Sequence, residues 1–312
     1  MKAENTFKTI IQLLKNTFIS FNEDRALKFC ASLSYYTIFS LAPLLLLAIS
    51  LAGFFFGRDA IKGKLFGEIN GLIGKDAAIQ IENLIKNIEL SGGTNIAVIV
   101  SGITLLIGAT TIFVEIQDSI NFIWNVKAKP KKGWLKLLKD RLLSYSLIVV
   151  LGFLLIVSLI VNGALVALSD WLKNYFPDVT ITLFGIINVL VSFIVITTLF
   201  GVIFKVLPDA KVSWKHVRIG AFFTACLFMI GRFLIGYYIY STSTGSAYGA
   251  AASVIVILVW VYYSAAILYF GAEFTKVYVE HIGAKIEPAD FAVYVERTEI
   301  EKEAETAPEN IS

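Results

Sequence analysis

The 312-residue chain is 57% hydrophobic but only 16% charged, with a mean hydropathy of +0.74 and a net charge of +3. Soluble domains carry about 25% charged residues, so lipid is the main solvent here and a soluble enzyme is excluded. The small net charge gives no ground for nucleic-acid binding, and two distant cysteines, Cys30 and Cys226, exclude a disulfide framework.

In chain order, residues 5–21 place Phe7, Ile11, Leu14, Phe18 and Phe21 at spacings of three and four, with Lys8 and Lys15 off that stripe. This predicts an amphipathic helix in a cytoplasmic segment, 1–32, lying on the lipid surface or packed against a bundle. No signal-peptide core is present, so the first span is expected to serve as the insertion signal. Six apolar stretches follow at 33–56, 96–122, 142–168, 181–207, 217–240 and 247–270, each long enough to cross about 30 Å of hydrocarbon. Leu207-Pro208-Asp209 is a helix stop between the fourth and fifth, and the polar run 241–246 joins the fifth and sixth. An outer-membrane barrel is disfavoured because no alternation of period two occurs. The fold expected is all-α: a polytopic membrane domain over 33–283, with amphipathic helices at the N-terminus and in an outside loop, 57–95. An acidic, flexible cytoplasmic tail is expected over 284–312.

Lys and Arg fix the direction. With the N-terminus inside, the cytoplasmic segments and their flanks hold 20 of the 27 and the outside loops 6, with Arg232 inside a helix. Both termini are therefore placed in the cytoplasm and the protein in a bacterial inner membrane. The basic loop 127–141 is expected to touch anionic lipid head groups rather than RNA. Homo-oligomerisation stays open.

The chain has two histidines, His216 and His281, so no HExxH or His-rich metal cluster can be assembled. Gly71 to Lys75 lacks P-loop spacing, and no nucleophile–base pair stands out. No catalytic residue, metal or cofactor is expected. Polar groups at membrane depth are the candidates that remain, because they are costly to keep there. Arg232, Asn162 and Asn188 fall at similar depth in the outer half and are candidates to converge on a substrate; an arginine that snorkels outward is the competing reading. Nearer the cytoplasm, Ser32, Tyr36 and Ser40 follow one stripe, with Pro43 beyond them freeing the carbonyl of Phe39. Glu115, Asp118, Trp260, Tyr262, Tyr263, Ser264 and Glu273 complete a second polar layer. For the acids, the competing reading is interfacial pairing with Lys205, Lys276 or Arg25. Small residues around Tyr248 and Gly249 predict close helix packing at the start of the sixth span.

Ala31-Ser32-Leu33-Ser34-Tyr35-Tyr36-Thr37-Ile38-Phe39-Ser40-Leu41-Ala42-Pro43-Leu44 and Gln117-Asp118-Ser119-Ile120-Asn121-Phe122-Ile123-Trp124 are similar to segments of the YihY/BrkB family. So are Leu207-Pro208-Asp209-Ala210 with Trp214 and Gly220, and Ala247-Tyr248-Gly249-Ala250 leading to Trp260 and Gly271-Ala272-Glu273. Ala42 stands where the family usually has an aromatic residue. The resemblance spans roughly residues 20–280 in the family's order. It implies a six-helix inner-membrane protein, with Pro43, Tyr248, Gly249 and Gly271 as structural motif positions. It implies no established activity; a ribonuclease BN label carried by some members conflicts with the histidine count. The function expected is transport-related, for a lipid-like or small polar substrate, with a non-transporting scaffold as the alternative.

Overall fold

Hydrocarbon offers the backbone no partner, so long apolar stretches close their hydrogen bonds within one helix. The structure is a computed structural model in which residues 2–40, 79, 82, 95–129, 177–241 and 252–297 are described. Helix α1 spans Lys2–Glu23 and, after a turn at Asp24 and Arg25, α2 runs over residues 26–40. Helix α3 spans Asn95–Ile123, α4 Pro177–Val206, α5 Trp214–Ser241 and α6 Ala252–His281. Three of these are long and apolar enough to cross a membrane: Leu183–Val206, Trp214–Ile235 and Val254–His281. They coincide with the fourth, fifth and sixth expected spans. The second expected span lies within α3, and the first is helical as far as residue 40. The third span, the basic loop beyond Lys129, Pro43, Tyr248 and Gly249 lie outside the described residues.

Helix α5 packs between α4 and α6, and α1 lies along α6. The buried core gathers at one end of the bundle, from Ile120, Ile123 and Trp124 on α3 through Phe204 and Leu207 to Tyr269, Ala272 and Val279 on α6. Away from it, α4 turns Leu183, Ile186, Val189, Leu190 and Ile194 outward, as α5 does Ile230, Phe233, Leu234 and Tyr237. Large apolar side chains left outside a packed core are what a hydrocarbon solvent accepts.

The all-α expectation misses four short strands. Strand β1, Val126–Ala128, pairs antiparallel with β4, Ala292–Tyr294. Strand β2, Ala210–Lys211, pairs antiparallel with β3, Glu287–Pro288. Residues 287–288 and 292–294, inside the expected tail, thus pair as strands; residues beyond 297 lie outside the described residues. Two left-handed positions make the segment's entry and landing. Gly283, at φ 71°, ends α6 with Ala284 N donating to the Val279 carbonyl at 3.0 Å, a bond only a reversal of the backbone allows. Asn125, at φ 56°, ends α3 and accepts the Val295 amide at 2.9 Å through its own carbonyl.

Candidate functional site

Among the described residues, the core end of the bundle carries the densest buried polar chemistry. On α3, Gln117 and Asn121 are one turn apart and face the same way. Both reach Asp209 in the link between α4 and α5. Gln117 Nε2 donates to Oδ1 at 3.2 Å, Asn121 Nδ2 donates to Oδ2 at 2.9 Å, and Asp209 N donates back to Asn121 Oδ1 at 2.8 Å. All three side chains are buried. The Asp209 carbonyl also accepts the Ala289 amide at 2.9 Å, so the same residue holds the C-terminal segment. Trp124 Nε1 completes the α3 end by donating to the Ala272 carbonyl of α6 at 3.0 Å. Charge makes Glu115 and Asp118 conspicuous in the sequence, whereas the amides Gln117 and Asn121 do the buried bonding. A signal for the amides exists there too: they share a face with Ile120 and Trp124, while Asp118 is exposed.

A second cluster joins α6 to the α1–α2 turn. Lys276 Nζ donates to Asp24 Oδ2 at 3.1 Å and lies 3.6 Å from Glu273 Oε2. Arg297 donates to Asp24 Oδ1 at 3.0 Å and to the Phe122 carbonyl at 2.7 Å, and its guanidinium sits 3.3 Å over the Phe122 ring. Glu273 is fully buried, and neither of its oxygens has a hydrogen-bond partner. Two clefts open at this end. One, of about 450 Å³, is lined by Asp118, Asn121, Lys127 and Arg297 among others; the other, of about 540 Å³, by Trp124, Asn125, Lys276, Glu280 and Lys285.

The structure brings only some of the expected site residues together. Tyr263 is half-buried against Gly231 of α5, and Glu115 is half-buried beside Tyr269. Ser40 is buried, but Tyr36 is exposed with its ring against Tyr35. The inner face of α2 is carried instead by Cys30, Ser34 and Thr37, each hydrogen-bonded to the carbonyl four residues back. The stripe Ser32, Tyr36 and Ser40 drifts off that face because Tyr36 is about 100° around the helix from Thr37. Burial pushes the Cys30 thiol up to about 12, which makes it inert packing. Lys205 donates to the Val212 carbonyl rather than to an acid. Arg25 is exposed at the turn, with φ 53°.

The outer layer does not converge inward. Arg232 and Asn188 are both exposed, and Arg232 makes no hydrogen bond or ion pair among the described residues. Position along a helix is legible in the sequence but azimuth is not: Gly231 takes the place against α6, and its neighbour Arg232 points about 100° away. Asn162 lies outside the described residues. Among the described residues no group of three His, Cys, Asp or Glu is placed to hold a metal ion.

Comparison with known proteins follows the same stretches. The family model described as Virulence factor BrkB matches residues 17–292. A UPF0761 membrane protein of Tolumonas auensis is 29% identical over 81% of this chain and 80% of its own length. One from Psychromonas ingrahamii is 29% identical over 80% and 82%, and one from Pseudoalteromonas atlantica 26% over 78% of each. Against the longer protein of Teredinibacter turnerae, 25% identical, the match covers 87% of this chain and 61% of the relative. No solved structure matches.

Proposed function

The chain belongs to the Virulence factor BrkB family of membrane proteins, and from that premise we propose that it has a transport-related, non-enzymatic role, moving or exposing a lipid-like substrate across a bacterial inner membrane. The observation that carries this reading is the outward placement of Arg232 and Asn188 on membrane-crossing helices. An interior path for a small polar solute would have its polar groups facing in. Polar groups on the outer flank suit a head group that travels along the protein while its tails stay in lipid. A guanidinium recognises phosphate by charge and by paired donors, so a phosphate-bearing head group fits best.

The four junctions at 24–25, 124–129, 207–213 and 282–297 meet at one end of the bundle. With the Lys and Arg count, this supports an arrangement with that end, and both termini, in the cytoplasm. The test is purified protein in vesicles holding a labelled phospholipid whose outer-leaflet signal is quenched. The expected result is protein-dependent exchange between leaflets that Arg232→Ala weakens and Arg232→Lys partly keeps. Absence of exchange with phospholipids of either charge overturns the reading and favours a scaffold that organises partner proteins.

A further inference from the structure

Several cations at the core end of the bundle are engaged. Lys205 donates to the Val212 carbonyl, Lys211 pairs with Asp290, and Lys276 and Arg297 share Asp24. Lys215 and Arg218, in the first turns of α5, differ. Both are exposed, and neither side chain makes a hydrogen bond or ion pair among the described residues. The first turn of α5 holds no acidic residue, and the positive end of the helix dipole adds to their charge rather than relieving it.

Helical spacing sets these two cations in an amphipathic surface. Trp214, Arg218 and Phe222 follow one another at i, i+4 and i+8 on one stripe, with Lys215 and Ile219 on the next. All five are exposed. Helix α4 runs antiparallel beside them and completes the surface: a Cβ on Gly201 would stand 4.0 Å from the Trp214 ring, and Phe193 meets the Phe222 ring edge-on at 5.3 Å. Cations and an indole thus sit at the helix end, and apolar side chains take over one turn further into the span Trp214–Ile235. That order matches a lipid, charged at the head and apolar along the chains. The same flank continues to Arg232, which lies about 21 Å of helix rise and about 40° of rotation from Arg218, with exposed Phe233 beside it.

We propose that this surface binds an anionic phospholipid of the adjoining leaflet, its phosphate held by Lys215 and Arg218 and its acyl chains laid over Ile219, Phe222 and Phe193. The guanidinium offers phosphate paired donors and the ammonium a mobile point charge, so the two together close on a phosphodiester from both sides. A zwitterionic head group brings its own cation to the same place and is held less well. A soluble anion has no chains to cover Phe222, and an acidic protein would have to leave water to reach it. Binding at this surface rests on the membrane placement of α5 alone. Its service as the first station of a path to Arg232 rests on the transport reading.

Quenching of Trp214 tests it. The full chain is placed in phosphatidylcholine vesicles to which phosphatidylglycerol or further phosphatidylcholine is added, brominated near the glycerol end of one acyl chain. The signal of Trp214 is taken as the difference between wild type and Trp214→Phe. Half-quenching is expected at an about fivefold lower mole fraction of the anionic lipid than of the zwitterionic one. Lys215→Gln with Arg218→Gln brings the two lipids level, whereas Lys127→Gln with Lys129→Gln, an equal loss of exposed charge at the same end, keeps the preference. Equal quenching by both lipids in the wild type overturns the proposal. So does an equal fall in both double variants, which marks diffuse surface charge only, and so does quenching by neither lipid, which means that another chain covers the flank. Melting curves of the variants separate these results from misfolding. Anionic preference without leaflet exchange leaves the site standing and removes the transport reading; exchange without the preference does the reverse.

Discussion

Gly271 of α6 lies so close against Thr224 of α5 that a Cβ added to it would sit 2.8 Å from the threonine Cβ. The relation is reciprocal, since a Cβ on Gly220 of α5 would meet Thr275 Cβ of α6 at 3.0 Å. Each threonine hydroxyl donates to the carbonyl of the glycine on its own helix, at 2.7 Å, so the polar atom is satisfied inside the seam. Glycine here makes room for a neighbouring helix, which is how apolar bundles gain contact when hydrophobic driving force is weak.

Gly271→Ala is therefore expected to destabilise the protein by about 1–3 kcal/mol, the usual range for overpacking. Gly185, on the outward part of α4 with nothing within 4 Å of an added methyl, is the control. Gly185→Ala should be neutral or stabilising by up to about 1 kcal/mol, from helix propensity alone. Thermal unfolding of both variants in the same detergent checks the contrast; equal shifts would remove the seam argument.

Asn121→Ala takes a donor from Asp209 and an acceptor from its amide at once. Leaving buried partners unmade costs about 1–3 kcal/mol per group. The loss should exceed that of Asp118→Ala on the same helix, because Asp118 is exposed. Paired melting curves decide between the two positions.

Arg297→Gln should act locally. Arg297 is half-exposed, so its pairing with Asp24 is screened and contributes on the order of 1 kcal/mol or less. Its cation–π contact with Phe122 adds a comparable amount. Faster proteolysis within 284–297, with an unchanged melting temperature for the helices, is the expected pattern.

Cys30 should resist a maleimide in the folded protein and react fully once the chain is unfolded. Its thiol is buried and donates to the Ala26 carbonyl at 3.2 Å, and desolvation disfavours the thiolate. With the folded value near 12, raising the pH from about 7 to about 9 gains almost no thiolate, so labelling should stay flat across that window. A rise in labelling that follows the free-thiol value near 8.5 would show an open site.

Apolar length makes α4, α5 and α6 legible from sequence, and Leu207-Pro208-Asp209 marks the stop between the first two. What length cannot carry is rotation about each helix axis. The position of Arg232 along α5 can be counted from the chain, but its azimuth cannot, and the pairing of Gly220 with Thr275 depends on a register between helices that no single stretch encodes. Asp209 reads as part of a helix stop, because its partners Gln117 and Asn121 lie 92 and 88 positions earlier in the chain. Strands β1 to β4 have two or three residues each, too short for alternation to show. Acidity near Glu287 suggests a solvated tail, yet pairing there is through backbone, which side-chain charge does not reveal.

The C-terminal segment also imposes an order on assembly. Residues 287–297 leave the ribosome after every helix they tie, yet β1, β2, the Asp209 carbonyl and Asp24 all wait for them. A chain interrupted before this point would present unpaired strand edges on the surface of an otherwise inserted bundle. Passage of synthesis beyond residue 297 is thus written into the protein's own shape, in a form that a protease surveying the membrane surface could read.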